Sequence, residues 1–231
     1  MKSQLTLTFG ETLAYSSETF VAHIGVREIT ETLITLAAEQ RFALVYINGS
    51  PASGKTHLSV YCAGLLQSLG RSVEFLSEAN VNPWLLDAAA RTRARKGGVF
   101  IVDDAERWIS QPAAEGVFTA VADYVLQEKG LLVLLSSLSA NAVNAPIQIR
   151  SRLAAGVQLM INEPEERDLD AILRAMSAQR GLKLTEVKRR FILARVPRTV
   201  PALTRYLTKL KEVGQMAPSS TSFEVLAQAL E

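Results

Sequence analysis

Eight consecutive residues, Gly49-Ser50-Pro51-Ala52-Ser53-Gly54-Lys55-Thr56, carry the densest chemistry in the sequence. They fit the spacing G-x-x-x-x-G-K-[ST], with an apolar run before them and a helix-forming run after. The backbone N–H groups of such a loop wrap around phosphate oxygens, and its glycines allow that path. The dipole of the following helix favours the same anion. Lys55 is expected to neutralise the outer phosphates of a nucleotide, and Thr56 to set its hydroxyl on Mg²⁺. A second group of acids ends the apolar run Val99-Phe100-Ile101-Val102-Asp103-Asp104. Ligands of open α/β sheets bind at such carboxyl ends of strands. Asp103 is expected to orient Mg²⁺ and its waters. Asp104 is expected to position or deprotonate an attacking water, the alternative being a cap on the next helix.

The elements that must hold these groups alternate along the chain. Apolar spacing over residues 26–40 predicts a first helix, with Val26, Ile29, Leu33, Ile34 and Leu36 near one face. Strands are predicted at 43–48, 72–76, 99–102, 131–135 and 157–161. Helices are predicted at 54–69, 83–95 and 112–129. Gly70 and Gly130 stand where helices end. The apolar stripe of the second helix is read as Leu58, Tyr61, Cys62, Leu65 and Leu69. Continuous apolar strands separated by helices predict a parallel five-stranded sheet covered on both faces. After Asn162 only helices follow, at 164–180, 184–194, 198–213 and 221–230. Residues 164–231 hold 12 Lys/Arg against 8 Asp/Glu, whereas residues 1–163 hold 13 against 15. The expected organisation is a leader at 1–19, an α/β nucleotide-binding domain at 20–163 and a small helical domain at 164–231.

Composition narrows the function classes. The 231 residues are 48% hydrophobic and 21% charged, with a formal net charge of +2. That is the make-up of a folded, water-soluble protein and too balanced for a strongly basic nucleic-acid binder. One cysteine, Cys62, excludes an internal disulfide, and two histidines leave little for a histidine metal site. No apolar run reaches the roughly 18 residues of a membrane span. The first residues lack a signal-peptide core, so a cytoplasmic location is expected.

The order of motifs supplies a resemblance. GSPASGKTHL, then VFIVDDAERW, then LLVLLSS, then IRSRLAAG resemble the AAA+ proteins of the DnaA replication-initiator family over residues 20–213. The chain has no room for the initiator's DNA-binding and interaction domains. It therefore looks like the short DnaA-related regulators of the Hda type. That resemblance implies an ATP- or ADP-binding module with Mg²⁺. It also implies partners: a DnaA-type initiator, and the polymerase sliding clamp through which DNA is met indirectly. Intrinsic hydrolysis would be weak at most, with the main action on the initiator's ATP. No membrane partner is implied, and assembly with copies of itself stays open. The leader residues Gln4-Leu5-Thr6-Leu7-Thr8-Phe9 resemble the clamp-binding hexapeptide, with Gln4, Leu5, Leu7 and Phe9 as anchors and Thr8 where proline is common. The alternative is an ordinary N-terminal edge strand. In Arg150-Ser151-Arg152-Leu153 the S-R-[FL] part resembles the family's arginine-finger box, which maps the finger to Arg152, with Arg150 as fallback and a surface arginine near a helix end as the alternative. Such a guanidinium neutralises charge growing on a transferred phosphoryl group. The rival readings are a self-assembling ATPase, such as a helicase loader, and a nucleotide-binding scaffold without hydrolysis.

The sequence departs from the family in two places. After the fourth strand, Leu138 stands where an acid is common, which leaves Ser136 or Ser137 to sense the last phosphate. In the helical part, the expected arginine falls on Pro201, with Thr199 read as an N-cap and Arg198 or Arg205 as substitutes. Phe20 and Val21 are expected at the adenine by family analogy. Trp84, Trp108 and Cys62 are read as packing residues, and His57 as part of the helix after the loop. The clusters Arg91, Arg93, Arg95, Lys96 and Lys188, Arg189, Arg190 are read as helix-end and solvated-face cations.

Overall fold

A computed structural model describes residues 7–8, 14–15, 20–87, 96–215 and 221–230. Gln4, Leu5, Phe9, Arg91, Arg93 and Arg95 lie outside these residues. Two short strands, β1 (Leu7–Thr8) and β2 (Ala14–Tyr15), pair antiparallel, with Leu7 opposite Tyr15.

The main sheet has five parallel strands: β3 (Ala43–Asn48), β4 (Val73–Leu76), β5 (Val99–Val102), β6 (Leu131–Ser136) and β7 (Val157–Met160). Their order across the sheet is β4-β5-β6-β3-β7. The three central strands are apolar on both faces because helices cover both. Leu44, Tyr46, Phe100, Val102, Leu132 and Leu134 face one core. Val45, Ile47, Ile101, Val133 and Leu135, at alternate positions, face the other. β7 is an edge strand in which only Leu159 is buried, so its apolar content overstates its burial.

Helix α1 (Arg27–Glu39) is buried along Ile29, Leu33, Leu36 and Ala37, and Ile34 falls on the exposed side. Helix α2 (Lys55–Ser68) follows the phosphate loop. Its buried line runs through Leu58, Cys62 and Leu66, while Leu69 is exposed. The helix closes with bonds from the Gly70 N–H to the Gln67 carbonyl and from the Arg71 N–H to the Leu66 carbonyl, the pattern of a Schellman end.

Helix α3 (Glu78–Leu86) starts five residues before the predicted Pro83. Ser77 and Asn80 form a capping box there, and this local bonding sets the start. Pro83 thus lies inside the helix and does not begin it. Two helices were not anticipated: α4 (Ala105–Ile109) and α6 (Ile147–Ala155). Between them lies α5 (Ala114–Gln127); two residues after its end, Lys129 has φ +53° and makes the left-handed turn expected at Gly130.

The remaining helices are α7 (Glu166–Gln179), α8 (Glu186–Leu193), α9 (Val200–Gln215) and α10 (Phe223–Gln228). They enclose a third core around Leu173, Ile192, Leu203, Leu207, Leu210 and Leu226. Thr199 accepts from the Ala202 N–H at 3.3 Å, so the expected cap at the start of α9 is present, with Pro201 in the first turn. Arg189 forms two bonds with Asp170, at 2.8 and 3.1 Å, which tie α8 to α7. The expected solvated cation is therefore a brace between helices.

Candidate functional site

A cleft of about 410 Å³ lies where the phosphate loop meets the helical part. That volume suits a nucleotide-sized ligand, for which pockets run from roughly 300 to 1,000 Å³. Its floor is Pro51 to His57. One wall is Phe20, Val21 and His23. The opposite wall comes from α7 and α9 through Ile172, Met176, Gln179, Arg180, Val200 and Thr204. Asp104 and Ser137 complete the rim.

The loop is held by backbone bonds at both ends. The Gly49 N–H donates to the Ser136 carbonyl at 3.0 Å, which fixes the loop to the end of β6. Ala52 and Gly54 both have positive φ, +62° and +92°. Gly54 adopts that angle without steric cost and hands the chain to α2, where the Leu58 N–H reaches the Gly54 carbonyl at 2.8 Å. Lys55 is 6% exposed and donates to the carbonyls of Gly49 and Ser50, at 3.0 Å each. An ammonium held by two neutral carbonyls in a cleft is poised to exchange them for anionic oxygens. The Ser53 hydroxyl is buried and has no partner among the described residues.

Thr56 and Asp103 are brought together as the sequence predicted. The Thr56 hydroxyl donates to Oδ2 of Asp103 at 2.5 Å. Oδ1 of Asp103 is buried and has no partner among the described residues. Burial pushes the Asp103 carboxyl above its ordinary range, and Asp104 adds to this. The Thr56 bond and Lys55 act the other way. A threonine hydroxyl beside an orphaned carboxylate oxygen is a donor set that fits a hard, oxygen-seeking cation.

Asp104 reaches the cleft by a route that strand alternation does not show. β5 stops at Val102, and Asp104 has φ +48°. This left-handed step starts α4 and leaves an exposed carboxylate on the cleft rim. The side chain makes no capping bond, so the helix-cap alternative does not describe it.

The two serines separate. Ser136 is fully buried, and its hydroxyl accepts from the Leu138 N–H at 3.0 Å, whereas Ser137 lines the cleft. Leu138 is 42% exposed. Glu106, not picked out from the sequence, ties this corner together. Its Oε1 accepts from the Ser137 N–H at 3.0 Å. Burial raises the Glu106 carboxyl, but the Ser137 N–H and the hydroxyls of Ser136 and Ser137 outweigh it and hold it below its usual range. The only signal available was an acid two residues past Asp104.

On the other wall, Phe20 stacks on Tyr61 at 4.7 Å and meets His57 edge-on at 5.1 Å. This makes a flat apolar shelf of the kind a base can lie on. His57 also comes within 3.5 Å of Gln179, so it belongs to the contact between α2 and α7. Trp84 packs against Phe100 and Tyr124, and Trp108 against Phe118. Cys62 is buried, and its thiol is pushed up to about 12 by that burial.

His23 has a second task. Its Nδ1 accepts from the Gly25 N–H at 3.1 Å, which requires an unprotonated nitrogen. Gly25 in turn lies against the segment that leads into α7. Its carbonyl accepts from the Asn162 N–H at 3.1 Å, and a Cβ there would stand 2.1 Å from the Asn162 carbonyl oxygen. Burial lowers the His23 pKa, and Asp168 opposes this only partly. A base with a lowered folded pKa gives stability that is present above its unfolded value, near 6.5, and is lost as pH falls toward the folded value. Melting temperature is therefore expected to drop as pH is taken below about 6.5. His23→Asn, which keeps the acceptor and cannot be protonated there, is expected to remove that part of the slope in pH-dependent thermal melts.

Arg152 lies elsewhere. It projects from α6 beside the first residues of β3 and β7, in a groove lined by Ala43, Leu44, Gly156 and Val157. Its Nη2 is 4.0 Å from Asp123. The phosphate loop leaves the other end of β3. Arg152 therefore cannot serve a ligand in the cleft of its own chain. Arg150 is exposed on the same helix. On the helical wall, Arg198 pairs with Glu166 and Arg205 is exposed, and neither lines the cleft.

No protein-family model matches the chain. The chromosomal replication initiator protein DnaA of Symbiobacterium thermophilum is 22% identical over 235 residues, which cover 94% of this chain and 50% of that protein. The chain thus spans about half the length of the curated relative it matches. Domain III of the Thermotoga maritima replication initiation protein DnaA matches with a TM-score of 0.73 at 18% identity, covering 94% of this chain and 95% of that one. AMPPCP-bound DnaA from Aquifex aeolicus matches with a TM-score of 0.63 at 18% identity, over 85% and 65% of the two chains. The fold is that of an AAA+ P-loop module: a parallel five-stranded sheet with flanking helices, followed by a helical portion.

Proposed function

We propose that the chain is a nucleotide-bound AAA+ regulator of replication initiation, of the Hda type, that acts on ATP held by a DnaA-type initiator. The carrying observation is the separation of two halves of a hydrolysis site. The cleft is read as the phosphate-binding half, and Arg152 stands in a separate groove at the far end of the sheet, which supports a role toward another molecule's nucleotide. The initiator relationship is supported by the similarity to DnaA, and adenine as the base by the AMPPCP-bound neighbour.

In this reading the backbone of residues 49–56 and Lys55 hold the phosphates of ATP or ADP. Thr56 and Asp103 would hold Mg²⁺, which supplies charge neutralisation between phosphate oxygens. Phe20 and Val21 line the base end. Ser137, bonded through its amide to Glu106, faces the outer phosphates. Pro201 in place of a cleft-facing arginine suits a protein that keeps its nucleotide and does not cycle on it. Arg152 would enter the initiator's site and neutralise the phosphoryl group as it leaves. Asp104 retains the chemistry for weak hydrolysis of the chain's own ATP. Among the described residues no helix is long and apolar enough to cross a membrane, and a cytoplasmic setting follows from the proposed partners.

The leader is assigned to the sliding clamp through Gln4, Leu5, Leu7 and Phe9. The test is an initiator ATP-hydrolysis assay with clamp loaded on DNA. The chain is expected to accelerate hydrolysis only when the clamp is present, and alanine at Gln4, Leu7 and Phe9 together is expected to abolish the effect. Equal stimulation without the clamp would remove the tether from the account. Rapid ATP turnover by the chain alone, with no initiator present, would favour the self-assembling motor instead.

A further inference from the structure

We propose that Arg180 is the cation by which the helical portion grips the polyphosphate of the bound nucleotide. The inference rests on the nucleotide reading of the cleft and adds a residue that the sequence did not single out. In AAA+ terms the expected arginine on α9 is absent, since Pro201 stands at that position. The residues α9 turns to the cleft are Val200 and Thr204. Of the arginines and lysines on the described helical portion, Arg180 is the one that lines the cleft.

The local structure places it firmly. Arg180 caps the C-terminal end of α7, and its N–H reaches the Ser177 carbonyl at 3.1 Å. Gly181, at φ +71°, reverses the chain. The Leu182 N–H returns to the same Ser177 carbonyl at 2.9 Å, and the Leu182 side chain is buried in the helical core. The guanidinium is oriented by a bond from Nη1 to the Met176 carbonyl at 3.0 Å. Next to it, Gln179 comes within 3.5 Å of His57, the residue after Thr56. The end of α7 therefore sits against the first turn of α2, the turn that follows the phosphate loop.

Electrostatics gives the same answer. The C-terminal end of α7, the negative end of its dipole, lies at a cleft read as an anion site. Without a cation at that end the helix would repel the ligand. A guanidinium there reverses the sign and offers the planar donor fork that phosphate oxygens accept.

Calorimetric titration of the full chain with Mg²⁺ and ATP, ADP or AMP tests this. Arg180→Ala is expected to weaken ATP and ADP about tenfold and AMP less than about twofold, as for the loss of one charge-assisted contact to the outer phosphates. Arg180→Lys is expected to recover part of the loss, and Arg205→Ala to bind as wild type. The unliganded melting temperature of each variant checks folding. Unchanged ATP and ADP affinity in Arg180→Ala, with wild type binding normally, overturns the proposal and leaves the nucleotide reading standing. An equal loss for AMP overturns it as well, because the contact would then be to the base or sugar. If wild type binds none of the three, the nucleotide reading itself fails and takes the proposal with it.

Discussion

Arg152→Ala is expected to lower the initiator's stimulated ATP hydrolysis about a thousandfold, with the chain's own nucleotide affinity unchanged. The physical reason is positional. Arg152 is 39% exposed by side chain and lies 4.0 Å from Asp123, a loose contact of the kind worth little in solution. It is therefore available to a partner at small cost. A guanidinium supplied across an interface to a phosphoryl group in flight is worth on the order of 10³ to 10⁵ in rate. Arg152→Lys is expected to restore little, because a point charge does not reproduce the planar fork. Arg150→Ala, one helical position pair away and exposed, is expected to behave as wild type. A measured loss at Arg150 with Arg152 silent would move the finger to that residue.

Lys55→Ala is expected to weaken ATP and ADP at least about a hundredfold, roughly 2.7 kcal/mol. Lys55 is almost wholly enclosed, and its ammonium is already in the loop, bonded to the carbonyls of Gly49 and Ser50. A phosphate oxygen that displaces those carbonyls gains a charge-assisted bond in a partly dry cleft, where such bonds are strongest. Lys55→Met, which keeps the aliphatic stem, is expected to lose as much, since the charge is what binds. Calorimetry with both nucleotides measures this. A variant that kept wild-type affinity would place the polyphosphate away from the loop.

The parts of this site that were legible in the sequence are those fixed by local pattern. The phosphate loop, the Thr56 and Asp103 pairing and all five strands follow from short runs whose residue types have few other uses. The strands 43–48 and 99–102 have the predicted bounds, because an apolar run covered on both faces ends abruptly at polar residues. What escaped was set by tertiary contact or by backbone conformation. Asp104 turns into the cleft through a left-handed φ that no residue type announced. Ser136 and Ser137 look alike in sequence, but the strand end buries the first and presents the second. Glu106 matters through a bond to the Ser137 amide 31 residues away. Ile34 and Leu69 fit a helical stripe on paper and are exposed, since a helix buries only the face its neighbours reach. Arg180 had no motif to mark it and was found only from the cleft.

Titration of the wild-type chain with ATP and with ADP, magnesium present, tests the central claim most directly. The account predicts saturable binding of both nucleotides at one site per chain, with matching heats of the sign set by phosphate contacts. Heats indistinguishable from dilution for both nucleotides would contradict it.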